Sequence, residues 1–74
     1  MQQLGTLTDR LRGYLAPEQV DAVRRAYYFA EQAHDGQVRR TGQPYVTHPL
    51  AVATILADMR MDHQSLIANL LSGP

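Results

Sequence analysis

Cysteine is absent from this chain, and so is lysine. Without cysteine, neither a disulfide nor a thiolate metal site can hold the fold, which fits a reducing compartment. All seven cations are arginines, set against seven acidic residues. That zero balance argues against the basic surface of a nucleic-acid binder and against an acidic tail. A GC-rich genome explains the arginine bias before any need for planar guanidinium groups does. Also missing is any run near the roughly 20 apolar residues that span a bilayer. The opening residues, Met1 to Thr6, carry neither the basic segment nor the apolar run of a secretory signal. The chain therefore reads as cytoplasmic, with no DNA and no membrane partner. No stretch alternates apolar and polar residues, so no strand is expected, and no repeat or low-complexity tract is present.

What the sequence does have is helical period. Its 74 residues suit one small domain, a size at which only about 60% of the unfolded chain's surface becomes buried. A partner or a continuation is plausible on size alone. Leu4, Leu7, Leu11 and Leu15 recur at spacings of three and four, which predicts a first amphipathic helix weakened at its end by Gly13. Ala16-Pro17 breaks the run, and Pro17 with Glu18 suits the first turn of a second helix. That helix carries Val20, Val23, Tyr27, Ala30 and His34 on one stripe, with Arg24, Arg25 and Glu31 elsewhere, and Asp35-Gly36 is its expected stop. Pro49 resets the backbone for a third helix whose broad apolar face, Leu50, Val52, Ala53, Ile55, Leu56 and Met59, should be mostly buried. Asp62 is a good N-cap for a fourth, with Leu66, Ile67, Leu70 and Leu71 as its stripe. The fold class is all-α, about four helices in one unit over residues 1–74.

Periodicity fails between Gln37 and Thr47, where Gly42 and Pro44 punctuate a polar connector containing Arg39, Arg40 and Tyr45. His48 follows, directly before Pro49. A residue in that position is pushed away from helical backbone, which places the imidazole at a helix entrance and not within a turn. Such a histidine can be a metal ligand, a general base or a structural residue of N-cap type. A divalent ion needs three or four protein ligands, and no second histidine or carboxylate lies at ligand spacing from His48. His34, on the buried stripe, reads as a hydrogen-bonded core residue, and His63 as an exposed first-turn residue of the fourth helix. Adjacent arginines in a polar loop are most often solvated.

The segment Ala33-His34-Asp35-Gly36-Gln37, Arg39, Thr41-Gly42-Gln43-Pro44-Tyr45 and Thr47-His48-Pro49-Leu50-Ala51-Val52-Ala53 resembles the hydrolase domain of RelA/SpoT-type proteins. The G-x-P-Y-x-x-H-P core carries the specificity, and the resemblance extends over roughly residues 14 to 71. It implies the N-terminal part of an HD-type helical fold, a Mn²⁺-dependent reaction removing pyrophosphate from the 3′ side of guanosine tetra- or pentaphosphate, and a role in the stringent response. By the same resemblance His48 is the first metal ligand, Arg39 and Arg40 hold the guanine nucleotide, and Tyr45 packs on the nucleotide or anchors the loop. Thr41 keeps the hydroxyl of the family's usual serine, whereas Gln43 loses the charge of its usual glutamate.

The family's next two ligands, a His-Asp pair, would follow Leu70-Leu71, where this sequence reads Ser72-Gly73-Pro74. The expectation is a truncated hydrolase portion that is inactive alone and does not hold Mn²⁺ stably, since one imidazole cannot fix an ion that must acidify water. The competing expectation is a non-catalytic helical module that self-associates through exposed Ile67, Leu70 and Leu71. A helix-turn-helix DNA binder built from the third and fourth helices is disfavoured by neutral charge and the lone Arg60.

Overall fold

The computed structural model describes residues 4–33, Gly42 and 47–72, with the side chains of Thr47 and His48 outside that description. Among the described residues four α-helices follow in chain order: α1 Leu4–Leu11, α2 Pro17–Ala33, α3 Thr47–Asp58 and α4 His63–Leu71. No strand occurs among the described residues. The principal helix contacts close a ring in the order α1, α2, α4, α3, so α2 and α3 occupy opposite corners.

The core is what the leucine and valine periods predict. Leu7, Leu11, Val20, Val23, Leu66 and Leu70 are buried, and Leu4, Leu15, Tyr27 and Ile67 pack against them half-buried. Alanines at 26, 30, 53 and 57 are buried too. Their small side chains let helix backbones approach, a role that a search for large apolar residues overlooks at Ala26 and Ala57.

Local sequence explains most helix ends. Pro17 opens α2, where its missing N–H costs nothing. The Gln19 side chain reaches back to accept the Ala16 amide at 3.0 Å, which is half of a capping box. Asp62 caps α4 as expected, accepting the Ser65 amide at 3.0 Å and the Ser65 hydroxyl at 2.8 Å. The end of α3 is a Schellman motif. The Met61 amide bonds the Leu56 carbonyl at 3.1 Å and the Arg60 amide bonds that of Ala57 at 3.0 Å. Arg60 takes the left-handed position, φ 56°, that glycine usually fills. Gly42, exposed in the connector, has φ 87°, which its lack of a Cβ permits.

Three expectations change. Helix α3 begins at Thr47, so His48 lies within its first turn and not ahead of it. Pro49 is compatible with that because the first four amides of a helix have no intrahelical acceptor, and its absent N–H is therefore not missed. The apolar surface of α3 is not mostly buried. Ile55 is 60% exposed and Met59, just past the helix, 65% exposed, while Leu50, Ala53, Thr54 and Ala57 face inward. Apolar residues lie on more than one side of α3, and one side is covered by α1 and α4. His63 is half-buried rather than exposed, because its spacing of three and seven from Leu66 and Leu70 places it on their stripe. The expected stop at Asp35-Gly36 and the core placement of His34 lie outside the described residues.

Candidate functional site

The ends of the bundle differ in what they carry. At one end the α1–α2 and α3–α4 turns meet. Tyr14, just past α1, donates its hydroxyl to the Met61 carbonyl at 2.6 Å, and the Arg60 guanidinium lies 5.8 Å from the centre of the Tyr14 ring. Burial raises the Tyr14 pKa above the ordinary phenol value, with nearby Arg60 opposing and Asp62 reinforcing the shift. Arg10 on α1 reaches Asp58 on α3 at 3.3 Å, an exposed pair that contributes little.

The opposite end holds the last turn of α2, the first turn of α3 and the last turn of α4. From here the chain runs into the connector that carries Arg39, Arg40 and Tyr45, three residues outside the described ones. His48 is the second residue of α3, and its side chain is likewise outside the description. Two side chains secure the turn that holds it. Asn69, in the last turn of α4, donates its amide to the Pro49 carbonyl at 2.8 Å. Thr54, buried on α3, donates its hydroxyl to the Leu50 carbonyl at 2.9 Å. Ser72 finishes α4, its amide bonded to the Ala68 carbonyl and its hydroxyl to that of Asn69.

Neither Asn69 nor Thr54 was singled out by the sequence. The available signal was a polar residue inside an apolar run, Asn69 in L-I-A-N-L-L and Thr54 in A-V-A-T-I-L. A polar group in such a run needs a hydrogen-bond partner once buried. No buried side-chain nitrogen or oxygen among the described residues lacks one.

Among the described residues no three His, Cys, Asp or Glu side chains gather as a metal-holding group. A hydrolytic metal centre needs about three protein ligands, so the described residues alone do not fit one. An open cleft of about 250 Å³ beside α1 and α2 is lined by Thr8, Arg12, Arg24 and Tyr28 among others. Its arginines already pair with Asp9 at 2.9 Å and Asp21 at 3.4 Å. The surface expected for self-association shrinks, since Leu70 is 1% exposed and Ile67 half-buried, leaving Leu71 at 45%. No described helix is long and apolar enough to cross a membrane.

The described helices form an all-α unit, and comparison with known proteins gives it a family. The HD domain family matches residues 26–73, and the chain belongs to that family. Its similarity within the family is to the SpoT-like members. It is 47% identical over 66 residues to the bifunctional (p)ppGpp synthase/hydrolase SpoT of Escherichia coli, covering 89% of this chain and 9% of that protein. A guanosine-3′,5′-bis(diphosphate) 3′-pyrophosphohydrolase of Vibrio cholerae is 46% identical over 71 residues, 96% of this chain and 10% of the relative. A GTP pyrophosphokinase of Streptomyces coelicolor is 57% identical over 49 residues, 66% of this chain and 6% of that protein. The chain thus spans about a tenth of the length of the first two relatives.

Proposed function

We propose that this chain is the nucleotide-facing N-terminal portion, residues 1–74, of a cytoplasmic hydrolase that removes pyrophosphate from the 3′ position of guanosine tetra- or pentaphosphate. The observation that carries this reading is the 47% identity, over 89% of the chain, to a protein named for (p)ppGpp hydrolysis. HD-domain hydrolases of this kind work through a divalent metal, here Mn²⁺. His48 supplies one ligand from the first turn of α3. Arg39 and Arg40 hold the nucleotide, their planar forks suited to stacking on guanine or gripping phosphate oxygens. Tyr45 packs on the nucleotide or anchors the connector. The bound metal would acidify water and neutralise charge on the leaving pyrophosphate. One ligand is too few to hold it, so these 74 residues alone are inactive.

A chimaera tests this. The matching segment of the Escherichia coli relative is replaced by this chain's residues, and pyrophosphate release from ppGpp is measured with Mn²⁺. The chimaera should hydrolyse ppGpp, its His48→Ala variant should lose at least about a hundredfold in rate, and the isolated chain should release nothing. A folded but inert chimaera would sink the assignment. Release by the isolated chain, abolished by His48→Ala, would sink the claim of inactivity.

A further inference from the structure

We propose that Asn69 is a positioning residue for His48, its side-chain amide locking the last turn of α4 to the first turn of α3. The inference rests on the reading of His48 as a functional ligand and adds the residue that fixes its backbone.

The local geometry carries it. A helical carbonyl accepts one bond from the amide four residues on and retains a second lone pair. At the start of α3, two successive carbonyls use that second lone pair for a side chain: Pro49 accepts Asn69 Nδ2 at 2.8 Å, and Leu50 accepts Thr54 Oγ1 at 2.9 Å. The Thr54 bond lies within α3 and ties that helix only to itself. The Asn69 bond comes from another helix, 20 residues away in sequence. It therefore fixes the rotation and height of the first turn of α3 relative to α4.

Pro49 and Leu50 are buried on this side, so loss of the amide leaves the Pro49 carbonyl without that partner where water is scarce. His48 is one peptide bond upstream of Pro49. Any change in the setting of that turn is transmitted to His48 through a rigid prolyl junction. Asparagine is a mediocre helix former, and in the otherwise apolar stretch from Leu66 to Leu71 it gives up propensity for this one bond.

NMR of the intact 74-residue chain provides the test. In the unsubstituted chain, a through-hydrogen-bond coupling between Asn69 Nδ2 and the Pro49 carbonyl carbon should be present, and its absence would overturn the proposal. Asn69→Ala removes the donor and favours helix. Asn69→Asp keeps the shape and points an acceptor at the carbonyl. Both should shift and broaden the His48 ring and backbone signals while those of His63, at the other end of α4, stay in place and the helical circular dichroism is retained. Ser72→Ala, which removes a neighbouring bond to the Asn69 carbonyl, should leave His48 unchanged.

If His48 and His63 move together, or if His48 does not move in either Asn69 variant, Asn69 is only a packing residue. No part of this readout uses ppGpp turnover. An inert chimaera would therefore defeat the functional assignment without touching the Asn69 result, and the reverse also holds.

Discussion

The two ends of this bundle are built by different means. At the turn end, tertiary bonds reinforce ends that local sequence already specifies: Pro17 opens α2, Asp62 caps α4, and Tyr14 ties the two turns together through Met61. At the connector end, the bond that sets the first turn of α3 comes from the side chain of Asn69 on another helix. A helix end made by its own cap forms wherever the helix forms. An end set from a distance is correct only when the bundle is packed. The connector end therefore depends on the core more heavily than the turn end does.

The largest test of that difference removes core volume. Leu66 is fully buried in α4, between the two ends. Leu66→Ala should cost about 2–5 kcal/mol, which is comparable to the whole stability of a domain this small. In thermal unfolding followed by amide exchange, protection at the Ala51, Val52 and Ala53 amides, the first to bond carbonyls within α3, should vanish first. Protection around the Asp62 cap should be the last to go. If both ends lose protection together at every temperature, the proposed asymmetry is wrong.

A smaller effect is expected at the turn end. Tyr14→Phe deletes the 2.6 Å bond and leaves the Met61 carbonyl unpaired, at a cost of about 1–2 kcal/mol. The loss should open the first turn of α4 to exchange and leave His48 signals alone. Because burial raises the folded pKa of Tyr14 above 10.0, its contribution is complete below that value and is lost as pH rises through the higher folded pKa. Tyr27, also raised by burial and by Glu31, acts in the same direction. Tyr14→Phe should therefore reduce the alkaline loss of stability without abolishing it. An unchanged alkaline profile would mean that the Tyr14 bond does not link the turns.

The same contrast explains what the sequence made legible. Helix number, the Pro17 start, the Asp62 cap and the leucine stripes are consequences of residues close together in the chain, and period and capping chemistry reveal them directly. Asn69 and Tyr14 act on partners 20 and 47 residues away, and no local pattern encodes such a distance. Ile55 and Met59 misled for a related reason. Composition reports that α3 is apolar, but which side is covered depends on where α1 and α4 lie. The start of α3 lies two residues before Pro49 because the steric preference against helical backbone before proline is a bias and not a prohibition, and the absent proline N–H costs no intrahelical bond in a first turn. The candidate site was legible only through the resemblance around the G-x-P-Y-x-x-H-P motif. Taken singly, His48 and the arginine pair fit ordinary structural roles.

The smallest expected effect lies at the Asp62 cap, and pH reads it without a mutation. Hydrogen bonds from the Ser65 hydroxyl and then the Ser65 amide hold the Asp62 carboxyl below its ordinary value of 3.8, with His63 adding a weaker pull in the same direction. A depressed folded pKa means that the unfolded chain takes up the proton first. The cap's contribution is thus complete above 3.8 and drains away as pH falls through the lower folded value. Asp62→Asn keeps an acceptor for the Ser65 amide but cannot titrate, so it should lower the melting temperature slightly at neutral pH and flatten the acid limb of the stability curve. Amide exchange should show the first turn of α4 loosening in acid while the Asn69 to Pro49 coupling persists, since neither of those groups ionises. If the coupling disappears in the same pH interval as protection at Ser65, the two ends of α4 melt as one unit, and the local character assigned to the cap is lost.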